Sequence, residues 1–113
     1  MIFLDSSFII ACKVADDQNH EKSIKHLHNF IKNNEEVIIS DYIFDEVVTV
    51  LFLKTKDLDI AVDAGSTLKS SARLLNMDSS AFNKAWDIFK SQTSTKLSFT
   101  DCSSLALMKK EGI

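Results

Sequence analysis

Met1-Ile2-Phe3-Leu4-Asp5-Ser6-Ser7 is the stretch that decides the fold. An apolar run begins at the first residue and ends in a carboxylate followed by two hydroxyls. A short apolar run without alternation fits a strand covered on both faces, as in a parallel sheet held between helices. Phe8-Ile9-Ile10-Ala11-Cys12 follows with no turn residue, so a helix begins within a residue or two. Asp5 therefore stands where a buried strand hands over to a helix. In open α/β sheets that is the carboxyl edge, where ligands bind. Asp5 has two readings there: a functional acid, or, with Ser6, a cap for the next helix.

The same hand-over recurs further along. Val37-Ile38-Ile39 is a second β-branched run, and Ser40-Asp41 opens a helix over Tyr42 to Thr55. Between the two strands, Asn19 is placed to cap a helix from His20 to Asn33, with Ile24, Leu27, Phe30 and Ile31 at helical spacing. In the helix after the second strand, Ile43, Phe44, Val47, Val48, Leu51 and Phe52 form a wide apolar stripe facing the core. Asp57 caps a weakly apolar helix over Leu58 to Ser71, expected on the outside. Arg73 to Met77 reads as a third, edge strand. Asp78 or Ser79 starts a helix to Ser91, with Phe82, Ala85, Trp86 and Phe89 inward. After a polar loop, Asp101 opens a last helix to Glu111, with Gly112 at its left-handed end. The pattern is α/β with a parallel sheet.

The chain has 113 residues, enough for one domain with one core. At 45% hydrophobic and 26% charged, its composition is that of a soluble globular domain. Its apolar runs are too short to span a bilayer, and no basic segment precedes an apolar one as in a signal peptide. Cys12 and Cys102 are far apart and form no Cys-x-x-Cys pair, so structural zinc is not expected and a reducing cytoplasm is the simplest setting. With a formal net charge of −3, bulk electrostatics give little grip on nucleic acid. No Gly-rich phosphate loop is present.

Sixteen acids are too many to be all functional, so position must choose. Asp5 follows the first strand. Asp41, Asp45 and Glu46 lie in the first turns after the second. Asp101 opens the last helix. Such positions share one edge of a right-handed parallel sheet. Carboxylates converging there repel one another unless a cation sits between them. Without His or thiol partners they favour a hard ion such as Mg²⁺ or Mn²⁺. Each acid also has a structural reading. Asp41 is a natural N-cap, Ser98-x-x-Asp101 fits a capping box, and Glu46 flanks the apolar stripe. Cys102 is expected to be a small buried residue. His20 is expected to be solvated, and His26 and His28, at i and i+2 of a helix, point apart. Lys54, Lys56, Lys69 and Arg73 are either an RNA path or a solvated face.

At these residues the sequence resembles the PIN domain family of metal-dependent nucleases. Leu4-Asp5-Ser6-Ser7 resembles the opening strand with its first acid and hydroxyl. Ile39 to Thr49 resembles the second motif, with Glu46 in the acidic position, and Leu97 to Ala106 resembles the third, with Asp101 as its acid. The resemblance runs over the whole chain and is similar to the toxin ribonucleases of VapBC toxin–antitoxin pairs. It implies a single domain over residues 1–113, with a three-layer fold and a short parallel sheet flanked by helices. It implies an endoribonuclease using Mg²⁺ or Mn²⁺ held by Asp5, Glu46 and Asp101, with Ser6 and Thr100 in support. It further implies a homodimer and an antitoxin partner. The family's fourth acid follows one more strand, and this sequence stops before it, so the sheet is expected to lack that C-terminal strand and leave the first strand as an edge. The alternative is a catalytically impaired interaction module or a truncated fragment. A phosphatase with nucleophilic Asp5 is disfavoured, because a second acid is wanted two residues on and Ser7 stands there.

Overall fold

The computed structural model describes residues 1–113. Its elements run β1 (Ile2–Phe3), α1 (Ser6–Lys13), α2 (His20–Lys32), β2 (Val37–Ser40), α3 (Asp41–Thr55), α4 (Leu58–Ser71), β3 (Arg73–Leu75), α5 (Ser79–Lys90) and α6 (Phe99–Glu111). The sheet has the order β1-β2-β3 and is parallel throughout, with Ile2 opposite Val37 and Ile39 opposite Leu74. This is the α/β fold expected of the apolar runs, with β1 and β3 as edges. No helix is long and apolar enough to cross a membrane.

β2 is the hinge of the packing. Its successive side chains point to opposite faces. Ile39 joins Leu4, Ile9, Ile10, Ile43, Val47, Leu51, Ala61 and Ala64 on one face. Ile38 joins Leu75, Ala81 and Leu107 on the other, where Ala85, Cys102 and Ala106 continue the packing between α5 and α6. Ile38, Ile39, Ile43, Val47 and Leu51 are wholly buried. Each such side chain contributes about 1.5–3 kcal/mol.

α4 is the outer helix that its weak apolar pattern implies, but it is closely seated. A Cβ on Gly65 would lie 3.1 Å from Val48 Cγ1 and 3.3 Å from Phe44 Cζ. The missing side chain lets α4 approach α3.

Several sequence expectations are corrected. Phe82, Trp86 and Phe89 do not point inward; Ala81 and Ala85 take the buried face of α5. Phe52 likewise stands out of the α3 stripe. Ser40, not Asp41, caps α3 by accepting from Ile43 N–H at 3.0 Å. Asn19 makes no side-chain cap to α2. His20 is half-buried, its Nδ1 2.7 Å from the Ala11 carbonyl. The caps by Asp57 and Asp78, the Ser98–Asp101 capping box and the left-handed Gly112 stand as read.

Candidate active site

The three strands are parallel, so their carboxyl ends share one edge. Asp5 leaves β1 there and occupies the N-cap position of α1. Its side chain makes no cap bond. Instead it is exposed and accepts from Ser7 Oγ at 2.5 Å. The capping reading of Asp5 thus fails on geometry, and its carboxylate faces solvent.

Ser6 is buried and donates its hydroxyl hydrogen bond to Glu46 Oε1. This bond joins the first segment to the second turn of α3, forty residues away. Glu46 flanks the buried stripe, one residue before Val47, and is half-buried. It lines a cleft of about 300 Å³ together with Tyr42, Asp45, Thr49, Val50 and Thr100. Asp45 is exposed there and accepts from Thr49 Oγ1 at 3.4 Å.

The third segment arrives through helix packing. Tyr42 is in the first turn of α3 and Phe99 opens α6, and their ring centroids are 6.3 Å apart. The two helix N-termini are therefore neighbours, which brings Thr100 into the Glu46 cleft. Asp101 follows directly. Its Oδ2 accepts from Ser98 N–H at 3.0 Å while Ser98 Oγ accepts from Asp101 N–H at 3.0 Å. The capping box is real, and it fixes the carboxylate's orientation. One turn on, and on the same helix face, Ser104 carries a buried hydroxyl without a hydrogen-bond partner.

Asp41 has a separate role. It accepts from Met77 N–H at 3.1 Å and so ties the end of β3 to α3. No feature of the sequence singles out that bond, because donor and acceptor are thirty-six residues apart.

The donor set is carboxylate and hydroxyl oxygen, chemistry that suits a hard divalent ion. Asp5, Glu46 and Asp101 each engage one oxygen within the chain and keep the other unengaged. The three do not form one tight cluster: no group of three His, Cys, Asp or Glu side chains is placed to hold a single ion by direct contact. Mg²⁺ usually retains several of its waters and takes only one or two carboxylates, so the donor chemistry fits with water completing the shell. Neither thiol competes as a nucleophile. Burial pushes the Cys102 thiol up, with the Asp101 carboxylate adding to the effect. Burial also raises Cys12, against a smaller opposing pull from Lys13.

Fold and site together define a small α/β domain with an acid-edged parallel sheet. A sequence model of the PIN domain matches residues 2–113, and the chain belongs to that family. Among solved structures it is similar to VapC20 of Mycobacterium tuberculosis, described as a Sarcin-Ricin loop cleaving toxin. The TM-score is 0.86 at 26% identity, over 100% of this chain and 85% of that one. No curated protein matches the sequence.

Proposed function

We propose that residues 1–113 act as one metal-dependent endoribonuclease domain, the toxin of a toxin–antitoxin pair working in the cytoplasm. The observation that carries this reading is the Ser6–Glu46 hydrogen bond. It locks the first acidic motif to the second within a chain of the PIN family. The similarity to a loop-cleaving toxin supports RNA as the substrate.

Asp5, Glu46 and Asp101 would hold Mg²⁺ or Mn²⁺, directly or through water. When bound there, the ion acidifies water and screens phosphate charge. The chain's own residues do the positioning. Ser6 holds Glu46 in one rotamer, and the capping box does the same for Asp101. The Thr100 hydroxyl, in the cleft wall, is placed to meet a phosphate or a carboxylate. An antitoxin peptide and a second copy of the chain complete the proposed partners.

The test is cleavage of a labelled RNA panel with Mn²⁺, with Mg²⁺ and with EDTA, beside Asp5→Asn. Losing a ligand should cost at least the roughly 100-fold that loss of an outer-shell partner can cost, with the circular dichroism unchanged. An unaltered rate in Asp5→Asn would remove Asp5 from the site.

A second reading, a non-catalytic binding module, is favoured by the outer edge of β1, which pairs with no strand. Such an edge is a template for another chain. Metal-dependent cutting decides against this reading, and a folded protein that cuts nothing decides for it.

A further inference from the structure

Three aromatic side chains on one face of α5 are partly open to water. Phe82, Trp86 and Phe89 are 45%, 47% and 38% exposed. Their spacing, i, i+4 and i+7, places them in one stripe. That stripe is connected ring by ring to the candidate site. Trp86 stacks on Phe89 with centroids 5.8 Å apart and planes at 13°. Phe89 meets Phe99 edge-on at 6.2 Å, and Phe82 lies 5.2 Å from Phe99. Phe99 in turn lies 6.3 Å from Tyr42. Tyr42 is in the cleft wall with Glu46 and Thr100. An unbroken aromatic track therefore leads from the acids to the outer surface of α5. At its far end Lys90 Nζ sits 5.7 Å from the Trp86 ring centroid.

We propose that this track binds single-stranded RNA on its way into the site, the bases stacking on Trp86, Phe89 and Phe82 and Lys90 meeting a backbone phosphate. The inference rests on the ribonuclease reading above and names how that site grips its substrate. Proteins that hold single strands combine aromatic platforms with cations. Here the need is sharper. The chain carries a formal net charge of −3, so charge attraction alone does not hold a polyanion, and stacking supplies affinity that is independent of net charge. Lys90 lies near an exposed acid, Asp87, at 3.6 Å. That contact is solvated and weak, and a phosphate can take its place. A second copy of the chain is the competing occupant. Continuity with the cleft favours RNA, since a track needed only for dimerisation has no reason to end at Glu46 and Thr100.

Trp86 is the sole tryptophan, so its fluorescence reads the track directly. The experiment titrates the wild-type protein with a single-stranded oligoadenylate in EDTA, where no metal-dependent cutting occurs. The expected result is saturable quenching of Trp86, with a Kd weakened about tenfold in each of Phe99→Leu and Lys90→Gln. Emission that RNA leaves unchanged overturns the proposal. So does emission that shifts with protein concentration alone, in step with a doubling of mass in sedimentation, because a second copy then covers the rings. The two readings separate cleanly. Cutting without quenching sinks the track and keeps the nuclease, and quenching without cutting keeps the track and sinks the nuclease.

Discussion

The two faces of the sheet are filled by opposite means. On the Ile39 face, α1 and α3 bury branched side chains, with Ile9, Ile43, Val47 and Leu51 in one cluster, and α4 closes over them with Ala61 and Ala64. On the Ile38 face, α5 and α6 meet through Ala81, Ala85, Cys102 and Ala106. Small residues let those two helices approach closely, and close helices leave no room for rings between them. The aromatic residues of α5 are thereby displaced to the surface. One face buries branched side chains; the other joins two helices through small residues and carries an aromatic stripe beside the candidate site.

The largest expected effect tests the first half of that contrast. Leu51 is wholly buried among branched neighbours. Leu51→Ala should cost about 2–5 kcal/mol, read as a lower urea midpoint with an unchanged slope. Gly65→Val comes next. Its added methyls would meet Val48 and Phe44, which already lie 3.1 and 3.3 Å from an ideal Cβ. Overpacking of that kind costs about 1–3 kcal/mol. A neutral result would show that α4 slides freely on α3.

Trp86→Ala sharpens the comparison from the other side. A buried tryptophan would cost about 3–5 kcal/mol on truncation. Trp86 is 47% exposed and stacks on one neighbour, so the loss should be about 1 kcal/mol or less. A loss as large as that of Leu51→Ala would place the ring in a core and remove the contrast.

The same contrast explains what could be read from the sequence. The strands and the α3 stripe were legible because branched residues at strand and helix spacing have one use, burial against a neighbour. Phe82, Trp86 and Phe89 have helical spacing too, and large rings are the obvious inward residues of that helix. What excludes them is the partner. Cys102 and Ala106 of α6 pack on Ala85, and nothing within α5 reveals that partner. The site divides in the same way. Glu46 on the flank of a buried stripe and Asp101 in a capping box are local patterns. The Ser6–Glu46 and Asp41–Met77 bonds span forty and thirty-six residues, and only the folded chain joins them. The cap of α3 falls one position before Asp41, because Ser40, the last residue of β2, also serves as the cap.

α5 and α6 are also held by charge at one end, and that tie yields the smallest effect. Asp78 caps α5 by accepting from Ala81 N–H at 2.8 Å, and it is paired with Lys110 in the last turn of α6. The hydrogen bond to Lys110, then that to Ala81, hold the Asp78 carboxyl below the usual carboxylate range. A depressed carboxylate stabilises the fold above its unfolded pKa, about 3.9. That contribution is lost as the pH falls through the lower folded value. Both side chains are about half exposed, so salt should screen the pair. Asp78→Asn separates the two roles, since asparagine caps nearly as well as aspartate but carries no charge. Melting near neutral pH should show the variant slightly less stable than wild type, with the gap closing both in strong acid and in high salt. A gap that persists in acid would mean that the cap, not the ion pair, is what Asp78 contributes, and the charge would then drop out of the account of how α5 and α6 hold together.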